Sequence, residues 1–189
     1  MIDDLLKGVS LYLVGMMGAG KTTVGKRLAQ QLNYRFADTD AVIEQLVRKP
    51  IRDFFAESGE AAFRQLETQV LAEIAPYTRM VISTGGGVVT QRQNWSYLHQ
   101  GIVLWLDVPV DTLLNRLKGD HNRPLLQTTD PKATLESLLK QRSPLYAQAD
   151  VRVVCASGDD HDQTVEKVLM ALKSSIRKPL EPPSSIELN

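Results

Sequence analysis

Short apolar runs alternate with longer amphipathic segments along this chain. Five runs have the length and apolar content of buried strands: "SLYLV" (10–14), "RFA" (35–37), "MVIS" (80–83), "IVLWLD" (102–107) and "VRVVC" (151–155). Apolar residues recur at helical spacing in the segments 21–32, 41–47, 60–75, 110–118, 132–147 and 163–176. The alternation predicts parallel strands joined by right-handed helical crossovers, with ligands at the carboxyl ends of the strands.

The predicted fold class is therefore α/β, a three-layer fold in which a five-stranded parallel sheet is flanked by helices. The length of 189 residues suits one domain that can bury a core without disulfides. We assign residues 1–175 to that domain. Residues 176–189 contain three prolines and no apolar period, which predicts a disordered tail.

Charge and cysteine content restrict the partners. The chain has 22 basic and 22 acidic residues, so neither a nucleic acid nor an anionic membrane is expected as its main partner. No apolar run reaches the length of a membrane span, and the start "MIDDLLKG" is acidic, unlike a signal peptide. The single cysteine, Cys155, indicates a buried strand thiol in a reducing compartment. We expect a cytoplasmic protein and, since no dimer surface is visible, a monomer.

The segment "GMMGAGKT" (15–22) matches the P-loop pattern G-x-x-x-x-G-K-[ST] between the first strand and the first helix. Backbone N–H groups of Gly18, Gly20 and Lys21 are expected to surround a β-phosphate, with the Lys21 ammonium on the β and γ oxygens and the Thr22 hydroxyl on Mg²⁺. A chance glycine-rich turn with a solvated lysine is the alternative. The strand and helix on either side favour a nucleotide triphosphate site.

A P-loop identifies the phosphate donor and leaves the acceptor open. The base-reading N-K-x-D signature of GTPases is missing, and 189 residues leave no room for the added domains of a motor. A small-molecule kinase is the leading class. Such an enzyme needs a carboxylate for Mg²⁺, an acceptor site and a basic lid that excludes water.

Two aspartates follow the second strand in "ADTD" (37–40). In extended chain Asp38 and Asp40 would point to the same side, one towards Mg²⁺ and one towards an acceptor hydroxyl. Alternatively, Asp40 or Thr39 caps the following helix. Two aspartates opposite a P-loop favour the functional interpretation. Asp107 is a rival metal ligand at the end of its strand, although the following "VPVD" favours a strand-exit role there.

The loop "HNRPLL" (121–126) separates two predicted helices. Gly119 provides a flexible point and Pro124 a rigid one, and Arg123 could fold over a γ-phosphate. A solvated surface arginine is the alternative interpretation of Arg123.

Three consecutive glycines interrupt the apolar stretch "VISTGGGVVT" (81–90). Glycines carry a large conformational-entropy cost, so their presence indicates that something approaches the backbone more closely than a Cβ allows. An ordinary turn is the alternative.

Together these motifs resemble the shikimate kinase family, whose P-loop fold is of the nucleoside monophosphate kinase type. The resemblance extends from about Val9 to Lys173 and is carried by "GMMGAGKTT", "DTD", "IRDFFAESGEAAFRQLE", "STGGGVV", "NRPLL" and "RSPLY". It implies ATP-dependent phosphorylation of the 3-hydroxyl of shikimate, with Mg²⁺ as cofactor, on the route to aromatic amino acids. It also implies a substrate-binding helical subdomain at about 40–75 and a mobile lid at about 118–130.

For the acceptor, the resemblance assigns Arg64 and Arg142 to the substrate carboxylate, which suits the two parallel bonds of a guanidinium. The backbone at Gly85, Gly86 and Gly87 is assigned to substrate oxygens, and Asp40 to the acceptor hydroxyls as candidate base. Glu67 would orient Arg64. The alternatives are a surface salt bridge from Arg64 to Glu60 or Glu67, and a helix C-terminal charge for Arg142.

Phe55 and Phe63 resemble apolar walls of the subdomain, although two phenylalanines at helical spacing are also common in cores.

For the nucleotide, the resemblance implies contacts from Gly18, Ala19, Gly20, Lys21, Thr22, Thr23, Arg116 and Arg123. Arg116 matches an adenine-stacking arginine, with a helix-surface position as the alternative. The predicted catalytic residues are Lys21, Asp40 and Arg123, and the predicted metal ligands are Thr22 and Asp38.

The loop "ASGDDHDQ" (156–163) departs from the family, because members often carry an arginine or a proline there.

Two other functions stay open. One is a related small-molecule kinase such as a gluconate kinase, in which Arg64 and Arg142 would bind a different acid. The other is a silent, kinase-like binding module, which should have lost Lys21, Asp38 or Asp40, and all three are present.

Overall fold

The five predicted strands form one parallel sheet. The computed structural model describes residues 6–119, 125 and 128–176. The strands are β1 (Leu11–Val14), β2 (Arg35–Asp38), β3 (Met80–Ser83), β4 (Ile102–Asp107) and β5 (Val151–Val154). They lie in the order β2-β3-β1-β4-β5, and every neighbouring pair is parallel. The predicted sheet is confirmed.

Seven helices connect or flank these strands in the described part of the chain: α1 (Lys21–Leu32), α2 (Thr39–Val47), α3 (Ile51–Ile74), α4 (Asn94–Leu98), α5 (Val110–Leu117), α6 (Pro131–Tyr146) and α7 (His161–Ile176). A 3₁₀ turn covers Val88–Thr90. The helix α4 was not predicted, since five residues are too few to show an apolar period.

The start of α3 differs from the prediction of a helix at 60–75. It begins at Ile51 and contains a kink at Gly59, where φ is 80° and ψ is 172°. The kink breaks the helical phase, so the apolar positions before it do not continue the period that follows it. The left-handed φ at this position explains the glycine.

The core lies around the central strands. All four residues of β1 are fully buried, as expected for a parallel strand with both faces covered. Beyond β5, Cys155 is also buried, and burial raises the pKa of its thiol. Among the described residues, no helix combines the length and apolar content that a membrane span requires.

The sheet topology brings three of the sequence motifs to one edge. The P-loop follows β1, the DTD motif lies at the end of β2, and the glycine triplet follows β3. Because the strands are parallel, all three leave the sheet at its carboxyl edge, where α/β proteins place their ligands.

Candidate active site

The P-loop folds as a tight turn from β1 into α1. Gly18 (φ 77°) and Gly20 (φ 91°) have left-handed backbones that L side chains rarely adopt. No side chain in the described part of the chain caps α1 at Gly20, so its first N–H groups have the arrangement that binds phosphate elsewhere. Lys21 is buried, and its Nζ donates to the carbonyl oxygens of Gly15 (2.8 Å) and Met16 (2.9 Å). Its charge therefore lies inside the loop.

Asp38 links the P-loop to the end of β2. Its Oδ2 accepts a 2.6 Å hydrogen bond from the Thr22 hydroxyl, and its Oδ1 accepts from the backbone N–H of Asp40 at 3.0 Å. Asp38 is thus the N-cap of α2. The expectation that Asp38 and Asp40 share an extended segment was wrong, because α2 already begins at Thr39 and Asp38 caps it in place of Asp40 or Thr39.

Two cavities meet at these aspartates. The P-loop cavity, of about 390 Å³, is lined by Gly18, Gly20, Lys21, Thr22, Thr23, Arg116 and His161, among others. The larger cavity, of about 630 Å³, is lined by Phe55, Phe63, Arg64, Glu67, Gly85, Gly87 and Arg142, among others. Both are also lined by Met17, Thr22, Asp38, Asp40 and Gly86. A group bound in one cavity can therefore reach a group bound in the other at the two carboxylates.

The oxygens of Thr22 and Asp38 suit a magnesium ion. They are hard ligands and lie 2.6 Å apart, close enough to bind one cation. The described residues contain no group of three or more His, Cys, Asp or Glu side chains arranged around a metal. A cation at Thr22 and Asp38 would take its other ligands from water and phosphate, as Mg²⁺ does in phosphoryl-transfer sites.

Arg64 lies between two glutamates in the larger cavity. Its Nη1 donates to Glu67 Oε2 at 2.8 Å and its Nη2 to Glu60 Oε1 at 3.1 Å. Both salt bridges considered from the sequence are present, but Arg64 is 8% exposed, so this is no surface pair. Arg142 is also buried, and its Nη1 donates to the Gly86 carbonyl oxygen at 3.2 Å. Both guanidinium groups line the larger cavity.

Glu67 is a fully buried carboxyl at the centre of this cluster. Its Oε1 has no hydrogen-bond partner among the described residues. Burial raises the pKa of Glu67 and outweighs the opposing effect of the Arg64 charge. Burial alone would lower the pKa of Arg64, but the Glu67 carboxylate, followed by Glu60, raises it. Arg64 therefore stays cationic.

The glycine triplet makes room for the charged side chains of the site. A Cβ on Gly87 would overlap the Arg64 guanidinium, and a Cβ on Gly85 would overlap the Glu67 carboxylate and lie 3.0 Å from Asp40 Oδ1. A Cβ on Gly86 would lie 3.2 Å from the backbone nitrogen of Met17. The close approach indicated by the sequence is thus made by the site's own residues and by the P-loop.

The segment is also held from α6, the helix that carries "RSPLY". The Tyr146 hydroxyl donates to the Gly86 carbonyl oxygen, which Arg142 also contacts. Tyr146 is fully buried, and burial raises its pKa to about 12. The phenol is therefore a permanent donor at neutral pH.

The predicted apolar wall lies against the larger cavity. The rings of Phe55 and Phe63 line it with their centroids 5.6 Å apart. Phe63 is nearly fully buried and also belongs to the core. Phe63 is therefore both a wall of the cavity and a residue of the core.

Arg116 lies on the P-loop. Its Nη1 donates to the carbonyl oxygen of Ala19 at 3.3 Å, and its Nη2 to that of Asp159 at 3.4 Å. Asp107, the rival metal ligand, instead accepts from Arg152 Nε at 2.9 Å and is not among the residues lining either cavity. Arg123, most of the predicted lid and residues 177–189 lie outside the described residues.

His161 is a cavity residue that the sequence prediction missed. It begins α7, and a Cβ on Gly20 would lie 3.3 Å from its ring. Burial, followed by the charges of Arg116 and Arg27, lowers its pKa, so the ring is neutral at physiological pH. The available signal was its place at the end of the loop that follows the last strand, at the same edge of the sheet as the P-loop.

Comparison with known proteins decides the family. A family model described as shikimate kinase matches residues 17–173. The chain belongs to the shikimate kinase family. Among the relatives of this chain is the shikimate kinase of a Nostoc species, which is 55% identical over 177 residues, covering 94% of this chain and 98% of the relative. That of Synechococcus elongatus is 50% identical over 183 residues, covering 96% of each chain.

Solved structures agree. The shikimate kinase from Acinetobacter baumannii, solved in complex with shikimate, is 39% identical with a TM-score of 0.86, over 93% of this chain and 98% of that one. A gluconokinase from Sinorhizobium meliloti is 17% identical with a TM-score of 0.56, over 88% and 93% of the two chains, and shows a shared fold alone. The resemblance seen in the sequence motifs is confirmed.

Proposed function

We propose that this kinase transfers the γ-phosphoryl group of ATP to the 3-hydroxyl of shikimate, giving shikimate 3-phosphate and ADP. The observation that carries the proposal is the meeting of the P-loop cavity with the arginine-lined larger cavity at Asp38 and Asp40. Membership of the family and the shikimate named in the Acinetobacter baumannii complex support the choice of acceptor.

On the donor side, the P-loop N–H groups and the Lys21 ammonium would bind the phosphates, with Thr23, which lines the same cavity, beside them. For Ala19, a nucleotide contact is proposed on the family resemblance. Lys21 contacts two loop carbonyls from inside the P-loop, and its ammonium would bind phosphate oxygens from that position. Thr22 and Asp38 would hold Mg²⁺, which supplies positive charge to the transferring group.

Two further arginines complete the proposed donor side. Arg116 would contact the nucleotide at the mouth of the P-loop cavity, since it already lies against Ala19 there. For Arg123 the proposal rests on the family resemblance alone, which makes it a lid charge over the γ-phosphate. The subdomain at about 40–75 and the lid at about 118–130 are proposed on the same resemblance.

On the acceptor side, Arg64 and Arg142 would bind the shikimate carboxylate by charge-assisted hydrogen bonds. Glu67 and Glu60 accept from three N–H groups of Arg64, on Nη1, Nη2 and Nε, and the other two of its five N–H groups would serve the ligand. Backbone groups of Gly85–Gly87 line the same cavity and would contact substrate oxygens.

The chemical step follows from this geometry. Phosphoryl transfer passes through a loose transition state and depends on alignment and charge neutralisation more than on a strong base. Asp40 lies where the cavities meet and would orient the attacking hydroxyl and accept its proton late in the transfer. A carboxylate that accepts a proton only late in the transfer does not need a strongly raised pKa.

A coupled assay of ADP release tests the proposal. We expect Mg²⁺- and ATP-dependent turnover with shikimate, and only background release with gluconate or without an acceptor. Turnover with gluconate in preference to shikimate would support the related kinase, and no turnover with either would support the silent binding module.

The proposal also covers the partners, the cellular location and the oligomeric state of the enzyme. The balanced charge supports an enzyme that acts on a small molecule and binds neither nucleic acid nor membrane. We also propose that it is a cytoplasmic monomer. Sedimentation equilibrium at micromolar concentration would test the monomer, because a dimer would double the measured mass.

A further inference from the structure

Thr39 is the middle residue of the DTD motif, and its side chain is fully buried. It is the first residue of α2 and lies between the two aspartates that line both cavities. Neither cavity is lined by Thr39. Its hydroxyl instead accepts a 3.1 Å hydrogen bond from the backbone N–H of Gly85, 46 residues later in the chain.

This hydrogen bond continues the β2–β3 ladder beyond its last backbone pair. The registered pairs end at Asp38 and Ser83. The helix α2 begins at Thr39, the residue after Asp38. The backbone at this point is therefore helical and cannot provide the next hydrogen-bond acceptor of the ladder. The Thr39 hydroxyl takes over that role for Gly85, whose N–H would otherwise be a buried donor without an acceptor.

Gly85 in turn lies against the reactive carboxylate. A Cβ at Gly85 would be 3.0 Å from Asp40 Oδ1 and would overlap Glu67, so its Cα fits between the two acids. The same backbone continues to Gly86 and Gly87, where an added Cβ would meet the P-loop and Arg64, respectively. A shift of the Gly85 amide would change the spacing between Asp40 and this substrate-lining backbone.

We propose that Thr39 is a positioning residue for phosphoryl transfer, because its hydroxyl holds the Gly85 amide and thereby sets the spacing between Asp40 and the glycine triplet. The inference rests on the proposed function of these groups. Thr39 touches no substrate in this assignment and acts through Gly85. Small misplacements of reacting groups are costly in rate, so a single buried hydrogen bond can have a kinetic effect.

Two variants of Thr39 and one matched control test the proposal. Thr39→Val keeps the shape and removes the acceptor, whereas Thr39→Ser keeps the hydroxyl. Ser10→Ala is the control, because Ser10 Oγ accepts in the same way from the Met80 N–H, at the opposite end of β3 and away from both cavities. We expect Thr39→Val to lower kcat/KM for shikimate about tenfold to a hundredfold, with KM for ATP within about twofold.

The same experiment separates positioning from general stability. Thr39→Ser should keep kcat/KM within about threefold of wild type, and Ser10→Ala should lower Tm without changing the kinetic constants. The proposal is overturned if Thr39→Val leaves kcat/KM unchanged, whatever its Tm, or if Thr39→Ser is as impaired as Thr39→Val. Should Thr39→Val fail to fold, the smaller Thr39→Ala takes its place.

Hydrogen exchange of the Gly85 amide gives a readout that does not depend on activity. We expect the Gly85 amide to be protected in wild type and Thr39→Ser, and to exchange faster in Thr39→Val and Thr39→Ala. In these Thr39 variants the exchange of the Met80 amide should stay as in wild type. Equal Gly85 exchange in all variants would overturn the inference. If wild type had no shikimate turnover, the proposed function would fail instead, while the exchange result would still report on the hydrogen bond.

Discussion

The hydroxyl of Thr22 donates a 2.6 Å hydrogen bond to Oδ2 of Asp38. The two residues are 16 positions apart and belong to the start of α1 and the end of β2. The bond places a neutral oxygen and a charged oxygen side by side where the two cavities meet. In the proposed magnesium site, these two oxygens would be the ligands that the protein contributes.

Asp38→Asn should raise the Mg²⁺ concentration that gives half-maximal turnover by about tenfold, because the cation loses its charged protein ligand. The fold should be retained, since asparagine is as good an N-cap as aspartate. The measurement is turnover against Mg²⁺ at saturating ATP and shikimate. Asp53→Asn, on the first turn of α3, is the control and should leave the Mg²⁺ dependence as in wild type. An unchanged dependence in Asp38→Asn would remove Asp38 from the metal site.

Lys21→Met should give a folded protein with almost no turnover, because the charge on the transferring phosphoryl group is then unopposed. Circular dichroism would verify the fold and the coupled assay the activity. Lys173→Met, in the last turn of α7, is a matched control that should behave as wild type. Near-normal activity of Lys21→Met would contradict the P-loop assignment.

Asp40→Asn should lower shikimate turnover by about two or more powers of ten while nucleotide binding survives, since the change keeps the size and removes the proton acceptor. Binding of ADP measured by calorimetry, beside the steady-state rate, separates the two effects. Loss of nucleotide affinity with normal shikimate binding would mean that the roles of Asp40 and Asp38 are reversed.

Arg64→Ala should chiefly raise KM for shikimate, by about tenfold to 150-fold, because a charge-assisted hydrogen bond contributes about 1.5 to 3 kcal/mol. Arg64→Lys tests the same position while leaving a charge beside the buried Glu67, and should be intermediate. Arg152→Ala removes the exposed ion pair with Asp107 and is the control. If Arg64→Ala and Arg152→Ala give the same KM, the carboxylate of the substrate is bound elsewhere.

Tyr146→Phe should lower the free energy of unfolding at pH 8 by about 1 kcal/mol, since the Gly86 carbonyl loses its phenol donor. The pKa of Tyr146 is raised in the fold to about 12 from an unfolded value of about 10. The stabilisation is therefore complete below pH 10 and is lost as the pH rises towards 12. Urea titrations at pH 8 and 10.5 should show the gap between wild type and variant narrowing; a widening gap would reverse the assigned direction.

The sequence predicted the elements that are marked by a regular apolar pattern or by a known motif. The strands and the P-loop were found because their apolar runs and glycine spacing are local properties. The N-cap at Asp38 was missed because the choice between strand and helix at Thr39 depends on contacts with Thr22 and Gly85, which are distant in sequence. His161 was missed for a similar reason, since the topology alone brings α7 against the P-loop.

The buried thiol of Cys155 has a practical consequence for labelling this protein. It is the only cysteine in the chain, it is 2% exposed, and burial raises its pKa, so little reactive thiolate forms at neutral pH. A cysteine introduced at an exposed position such as Leu46 on α2 would then be the one site that maleimide dyes modify readily. The natural sequence therefore serves directly as a background for single-site fluorescent labelling, with no cysteine to remove first.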